Sequence, residues 1–136
     1  MTHVLRGSVT DKGFGVAAGN LAHVTPLILE RTGLPGMVPG TLNVCLDEAY
    51  FVRAPDAVIT AAEYNGAECI MLKRCVLRGL RCFVMRPNTH ELGYAHGPAH
   101  LELLSAHHLR NELSLSEGAR VEVELDGDPQ WWVNAK

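Results

Sequence analysis

Hydrophobic and polar residues alternate in short runs along most of this chain, and such alternation is typical of half-buried β-strands. The runs predicted to be strands cover residues 4–10, 41–46, 57–61, 67–77, 80–86, 101–104 and 121–125. Asn65 and Gly66 lie between two of these runs, and because both residue types tolerate positive φ they predict a hairpin turn.

One segment has a helical period instead. Between residues 20 and 31, apolar side chains recur at spacings of three and four, which predicts an amphipathic helix with Asn20 as its N-cap and Gly33 as its C-terminal stop. Pro26 is expected to perturb its first turns. A second, short helix is predicted over 107–113. Many short strands with one substantial helix favour a compact barrel over a doubly wound sheet.

Composition sets the class of protein. The 136 residues suit a single domain over 1–136. No stretch approaches the ~20 apolar residues of a membrane helix, and the first residues lack the apolar core of a signal peptide, so we expect a soluble, cytoplasmic protein. A net charge of −3 argues against nucleic acid as a partner. Without a Cys-x-x-Cys pair, the cysteines are predicted to be reduced core residues: Cys45, Cys69, Cys75 and Cys82.

The strand over 41–46 carries the first candidate chemistry. Alternation places Thr41 and Asn43 on one face, entered through a Pro-Gly turn. Mg²⁺ prefers hard oxygen ligands and takes others from water and substrate phosphates, so this pair suits a metal that arrives with a nucleotide. The alternative is a polar strand face in contact with water.

Glycines and other small residues lie between the first strand and the helix, over 12–19. Their backbone N–H groups could cradle a phosphate at the helix N-terminus. The segment is neither a Walker A sequence nor a dinucleotide-binding fingerprint, and an ordinary turn is the alternative.

Five histidines and one carboxylate occur late in the chain. His96 and His100 have a spacing found in some zinc sites, but Pro98 between them argues against the helix that such a site needs. Glu102 is either a solvent-facing strand residue or an acceptor for the proton of a substrate hydroxyl.

In order along the chain, these pieces resemble the archaeal-type CTP-dependent riboflavin kinases. The resemblance spans about residues 6–125, and 50–85 match only in strand character. The strings that carry it are Gly7-x-Val9, Gly13-Phe14-Gly15, Pro39-Gly40-Thr41-Leu42-Asn43-Val44, His96-x5-Glu102-Leu103-Leu104, Leu109-Arg110, Leu113-x-Leu115 and Gly118-x-x-Val121.

The resemblance implies a mainly β fold, a small closed cradle-loop β-barrel with one main helix and a second short helix. It implies that Thr41 and Asn43 hold Mg²⁺ and that Glu102 meets the flavin. Tyr94 stands where the family has a flavin-contacting threonine. The residues implied to contact the cytidine nucleotide are Gly13, Phe14, Gly15, Val16, Ala17, Ala18, His107, His108, Leu109 and Arg110.

The leading hypothesis is a magnesium-dependent phosphotransferase that moves the γ-phosphoryl of CTP to the 5′-hydroxyl of riboflavin, giving FMN and CDP. Phosphoryl transfer depends mostly on positioning and charge neutralisation, so it needs no strongly nucleophilic side chain. One alternative is the same chemistry on another hydroxylated small molecule, since Tyr94 and Val16-Ala17-Ala18 differ from the family pattern. Another is a non-catalytic barrel that binds a nucleotide or nucleic acid. The oligomeric state stays open.

Overall fold

The computed structural model describes residues 3–10, 16–37, 42–66, 68–91 and 97–125, and only the backbone of 16–23, 89 and 90. Within these residues the chain forms seven strands and four helices. In chain order they are β1 (His3–Val9), α1 (Val16–Thr32), β2 (Leu42–Leu46), β3 (Ala57–Ile59), α2 (Ala61–Tyr64), β4 (Ile70–Leu77), β5 (Leu80–Pro87), α3 (Asn88–Glu91), β6 (His100–Leu104), α4 (Leu109–Glu112) and β7 (Arg120–Leu125).

Six of these strands close into an antiparallel barrel. The pairing order is β3-β4-β5-β6-β2-β1-β7, and an additional ladder joins β7 to β4. One edge of β4 is divided, because residues 70–72 pair with β3 while residues 75–77 pair with β7. Between the two ladders, the Asp56 carboxylate accepts a hydrogen bond from the Arg74 amide at 2.7 Å. The sequence-based prediction of a closed, mainly β barrel is confirmed.

The barrel interior is built by every second residue of the six strands. Leu5 and Val9 of β1 pack there with apolar side chains from β2, β4, β5, β6 and β7. Gly7 lies between them, and a Cβ on this residue would lie 2.4 Å from the carbonyl oxygen of Cys45. Only glycine therefore allows β1 to approach β2 this closely.

Helix α1 covers part of the outer face of the barrel. Its Val24 and Ile28 are buried against apolar side chains of β3, β4, β5 and β6, which form a second core. At its C-terminal end, Arg31 forms an ion pair with Glu63 and donates a hydrogen bond to the Val58 carbonyl at 2.8 Å. The same carboxylate accepts from the Thr60 amide at 2.7 Å, where α2 begins. Glu63 therefore connects the helix to the edge of the sheet.

We expect this connection to make stability depend on pH in the acid range. The Arg31 guanidinium and the Thr60 amide lower the pKa of Glu63 to about 2. Because this folded-state pKa is lower than that of the unfolded chain, the contribution of Glu63 is complete above the unfolded value and is lost as the pH falls through the folded one. Thermal denaturation should show Glu63→Gln with a lower Tm than wild type at pH 7, and the difference should shrink between about pH 4.5 and 2.

Glu124→Gln is the matched control, because Glu124 is an exposed carboxylate on β7. It should leave the Tm at pH 7 nearly unchanged. A Tm difference for Glu63→Gln that is constant from pH 7 to 2 would show that its charge is not what connects α1 to the sheet.

Several predicted boundaries differ from the structure. Helix α1 begins at Val16, so Asn20 lies inside it and is not the N-cap, and Pro26 also lies within the helix. The strands before and after Asn65 pair antiparallel, as β3 and β4, and Asn65 has the predicted positive φ of 56°, but it is the C-cap of α2 and not part of a tight turn. That short helix replaces the end of the predicted strand 57–61, because the Glu63 side chain binds the Thr60 amide and so stabilises its first turn.

The prediction that all four cysteines are buried is wrong for two of them. Cys75 and Cys82 are buried and directly opposite each other in β4 and β5, whereas Cys45 is exposed and Cys69 is half-buried. Cys45 follows the period of β2, in which Leu42, Val44 and Leu46 point inward. All four thiols are free.

Candidate active site

Two of the sequence-predicted site residues, Asn43 and Glu102, are neighbours in the sheet. They are directly opposite each other in the antiparallel ladder between β2 and β6. The residues flanking each of them, Leu42 and Val44 on β2 and Leu101 and Leu103 on β6, fill the barrel interior. Alternation therefore directs Asn43 and Glu102 to the outer face of the barrel, where their Cβ atoms lie ~4.5–5.5 Å apart.

Glu102 is buried although it points outward. Only 3% of its surface is exposed, and its Oε2 oxygen is buried with no hydrogen-bond partner among the described residues. A solvated strand carboxylate, the simpler expectation for Glu102, is therefore wrong. Burying a charged oxygen without a partner is costly, and such groups in native structures commonly mark a ligand or catalytic position. Asn43 is half-buried.

His100 lies on the same outer face, two residues before Glu102. Its Nε2 is 3.3 Å from Oε1 of Glu102, and both side chains are about 95% buried. From the sequence, the only role indicated for His100 is that of a possible zinc ligand. No group of three or more His, Cys, Asp or Glu side chains suited to a metal occurs among the residues described.

Arg86 lies inside the barrel and binds the first residue of β6. It was not predicted as a site residue. It is fully buried and donates hydrogen bonds to three carbonyl oxygens, of Tyr50 at 2.6 Å, His100 at 3.0 Å and Pro98 at 3.3 Å. Its Nη1 also lies 3.2 Å from Oε2 of Glu91. Burial lowers the pKa of Arg86, and the Glu91 carboxylate opposes this effect.

The segment around Arg86 closes one end of the barrel. Tyr50 and Val52, in the connection after β2, are buried in the interior core, and the Val52 amide donates to Glu91 at 2.5 Å. Arg86 thus joins this connection to α3 and to the first residue of β6. These hydrogen bonds consequently hold the first residue of β6, the strand that carries His100 and Glu102, in place.

The predicted nucleotide segment 107–110 lies beyond the other end of β6. Nδ1 of His107 lies 2.8 Å from Oε2 of Glu112, and the exposed His108 caps α4 by accepting from the Asn111 amide at 3.3 Å. Leu109 is buried in the interior core, so only its backbone is available to a ligand. Arg110 is half-buried.

The remaining predicted site residues have no described side chains. Thr41, Gly13, Phe14, Gly15 and Tyr94 lie outside the described residues, as do His96 and the tryptophans 131 and 132. The backbone of Val16, Ala17 and Ala18 forms the first turn of α1, so these three belong to the helix and not to the predicted glycine loop.

The protein is a small closed β-barrel, and the face that carries Asn43 and Glu102 forms a polar site on its outer surface. Residues 28–125 match the family model for CTP-dependent riboflavin kinases, which is described as domain of unknown function DUF120. The chain belongs to this family, a family of kinases.

Two curated relatives agree with this assignment. A riboflavin kinase of Methanocella arvoryzae is 30% identical over 94 residues, which are 65% of this chain and 41% of the relative. A riboflavin kinase of Staphylothermus marinus is 29% identical over 121 residues, 88% of each protein. The chain thus spans about two fifths of the first relative and most of the second. In the described part of the chain, no helix is long and apolar enough to cross a membrane.

Proposed function

We propose that this protein transfers the γ-phosphoryl group of CTP to the 5′-hydroxyl of riboflavin in a Mg²⁺-dependent reaction that yields FMN and CDP. Membership of the family supports the class of reaction. The observation that carries the proposal is the direct pairing of Asn43 with the buried Glu102 across β2 and β6.

Glu102 is suited to receive the acceptor hydroxyl. Its Oε2, which has no hydrogen-bond partner among the described residues, can accept a hydrogen bond from the 5′-OH of riboflavin and orient that oxygen toward the γ-phosphorus. It can then take the proton as the new P–O bond forms and the bond to the CDP oxygen breaks. Burial restricts water at this carboxylate, which strengthens its interaction with the hydroxyl.

Asn43 is suited to the phosphate side of the same site. Its amide oxygen is a hard, neutral ligand next to a buried carboxylate, and this donor set fits Mg²⁺. Asn43, with Thr41 as the second proposed ligand, would hold the ion. When bound, Mg²⁺ supplies neutralisation of the charge on the phosphate oxygens. Two protein ligands suffice because Mg²⁺ keeps several waters and binds substrate phosphates.

The nucleotide would lie between the segment 13–18 and residues 107–110, and Tyr94 would contact the flavin. Because Leu109 is buried, recognition in its vicinity uses backbone N–H and C=O groups together with the side chains of His107, His108 and Arg110. Backbone groups can read the amino donor and the ring acceptors of cytosine. A base with the wrong pattern leaves donors and acceptors unpaired at about 1–3 kcal/mol each.

We therefore expect CTP to be used in preference to ATP by at least about tenfold in kcat/KM. The measurement is FMN formation from riboflavin by the full chain, with each nucleoside triphosphate at equal Mg²⁺ and with a chelator as the metal-free control. Equal rates with ATP and CTP would exclude cytidine selectivity. Phosphorylation of a different hydroxylated acceptor, with no phosphorylation of riboflavin, would exclude riboflavin as the substrate. Unchanged rates in the presence of the chelator would exclude a metal-dependent reaction.

A further inference from the structure

His100 and Glu102 form a buried pair whose two members differ in how firmly they are held. The backbone of His100 is fixed on both sides: its amide donates to the Gly97 carbonyl at 3.2 Å and its carbonyl accepts from Arg86 at 3.0 Å. Its Cα is paired with that of Cys45 on β2. The imidazole therefore extends from an anchored position.

The two carboxylate oxygens of Glu102 have different surroundings. Oε1 lies 3.3 Å from Nε2 of His100, close but not in hydrogen-bond geometry, whereas Oε2 is buried without a hydrogen-bond partner among the described residues. A glutamate side chain has three rotatable bonds, and holding it in one rotamer costs conformational entropy. A contact to one oxygen selects the rotamer and leaves the other oxygen for a ligand.

We propose that His100 is a positioning residue for the phosphotransfer reaction. When substrate binds, its Nε2–H donates to Oε1 of Glu102 and holds the carboxylate so that Oε2 faces the acceptor hydroxyl. This inference rests on the proposed function, because it assumes that Glu102 receives the substrate hydroxyl. Nε2 and Oε1 are 3.3 Å apart but are not aligned for a hydrogen bond in this structure. This agrees with the role, since catalytic hydrogen bonds are often long or poorly aligned without substrate and tighten when substrate binds.

Three variants separate positioning from packing. His100→Gln keeps an N–H group near the position of Nε2, His100→Asn is too short to place one there, and His100→Leu removes the donor. We expect the His100→Leu and His100→Asn variants to have a kcat for FMN formation that is about 10–100-fold lower than that of wild type, the scale of a misplaced catalytic group. Their KM for CTP should change little. Gln should recover most of the lost kcat. His3→Leu is the matched control, because His3 is an exposed histidine on β1, and it should leave kcat unchanged.

A double-mutant cycle shows whether His100 acts through Glu102. In a Glu102→Gln background, His100→Leu should cause less than about a threefold further loss of kcat, because the carboxylate that it positions is absent. An equal loss in both backgrounds would overturn the proposal, as would wild-type kcat in His100→Leu. If His100→Leu does not fold, the kcat values of His100→Gln and His100→Asn test the proposal, and equal values for these two variants would overturn it. Absence of FMN formation by the wild-type chain would instead contradict the proposed function itself.

Discussion

Glu102→Gln is expected to lower kcat for FMN formation by roughly 10²–10⁴-fold, the usual scale of general-base assistance. The substitution keeps the size of the side chain and one oxygen acceptor but removes the negative charge that orients the riboflavin hydroxyl and takes its proton. Because Oε2 of Glu102 has no hydrogen-bond partner in the described residues and Oε1 is not in hydrogen-bond geometry with His100, the change breaks no hydrogen bond known to stabilise the barrel. The Tm should therefore not fall with kcat.

Glu122→Gln is the matched control for the loss of one carboxylate. Glu122 is exposed on β7, where it forms an ion pair with Arg6 at 2.8 Å between side chains that are each about 60% exposed. It should retain wild-type kcat and KM. A wild-type kcat for Glu102→Gln at saturating riboflavin and CTP would show that Glu102 has no catalytic role.

Arg86→Met should produce the largest loss of stability, about 3–5 kcal/mol in the free energy of unfolding. Methionine fills a similar volume but leaves the Glu91 carboxylate without its cation and the carbonyls of Tyr50, Pro98 and His100 without their donor. For a domain whose total stability is of the order of 5–15 kcal/mol, this is a large fraction. Urea denaturation followed by tryptophan fluorescence or circular dichroism measures the difference.

Two further variants serve as controls for the stability of Arg86→Met. Arg6→Met removes an arginine whose ion pair with Glu122 is exposed, and it should cost less than about 1 kcal/mol. Arg86→Lys retains the charge but not the planar fork that reaches several carbonyls, so its stability should lie between those of wild type and Arg86→Met. Equal stabilities of Arg86→Met and Arg6→Met would show that the buried hydrogen bonds do not hold the barrel end closed.

Part of the barrel could be predicted because some of its strands bury only one face. In β2 and β7, inward Leu or Val residues alternate with polar or exposed ones, so the period of two is visible in the sequence. In β5 and β6 almost every residue is buried, and Phe83, Met85 and Leu104 of their outer face belong to the core that includes Val24 and Ile28 of α1. Alternation therefore no longer distinguishes the two faces of these strands. This is why the sequence identified β6 as a strand but did not reveal that Glu102 is buried.

The candidate site was predicted only in part. Asn43 and Glu102 were selected for their chemistry, but their adjacency follows from the β2–β6 register, which no local pattern encodes. Arg86 could have been found: residues 80, 82 and 84 predict an inward apolar face, and a charge at the next inward position requires buried partners. Those partners, on Tyr50, Glu91, Pro98 and His100, are distant in sequence and are brought together only by the fold.

The divided edge of β4 has a consequence for how the chain is synthesised. β7 is the last of the described strands, yet it pairs with β1, the first of them, and with residues 75–77 of β4. During synthesis at about 5–20 residues per second, the edges of β1 and β4 therefore stay unpaired until residues 120–125 have been made. Exposed strand edges are templates for aggregation. β3 is made before β4 and can cover residues 70–72 early, which limits the length of edge that the nascent chain presents to its neighbours.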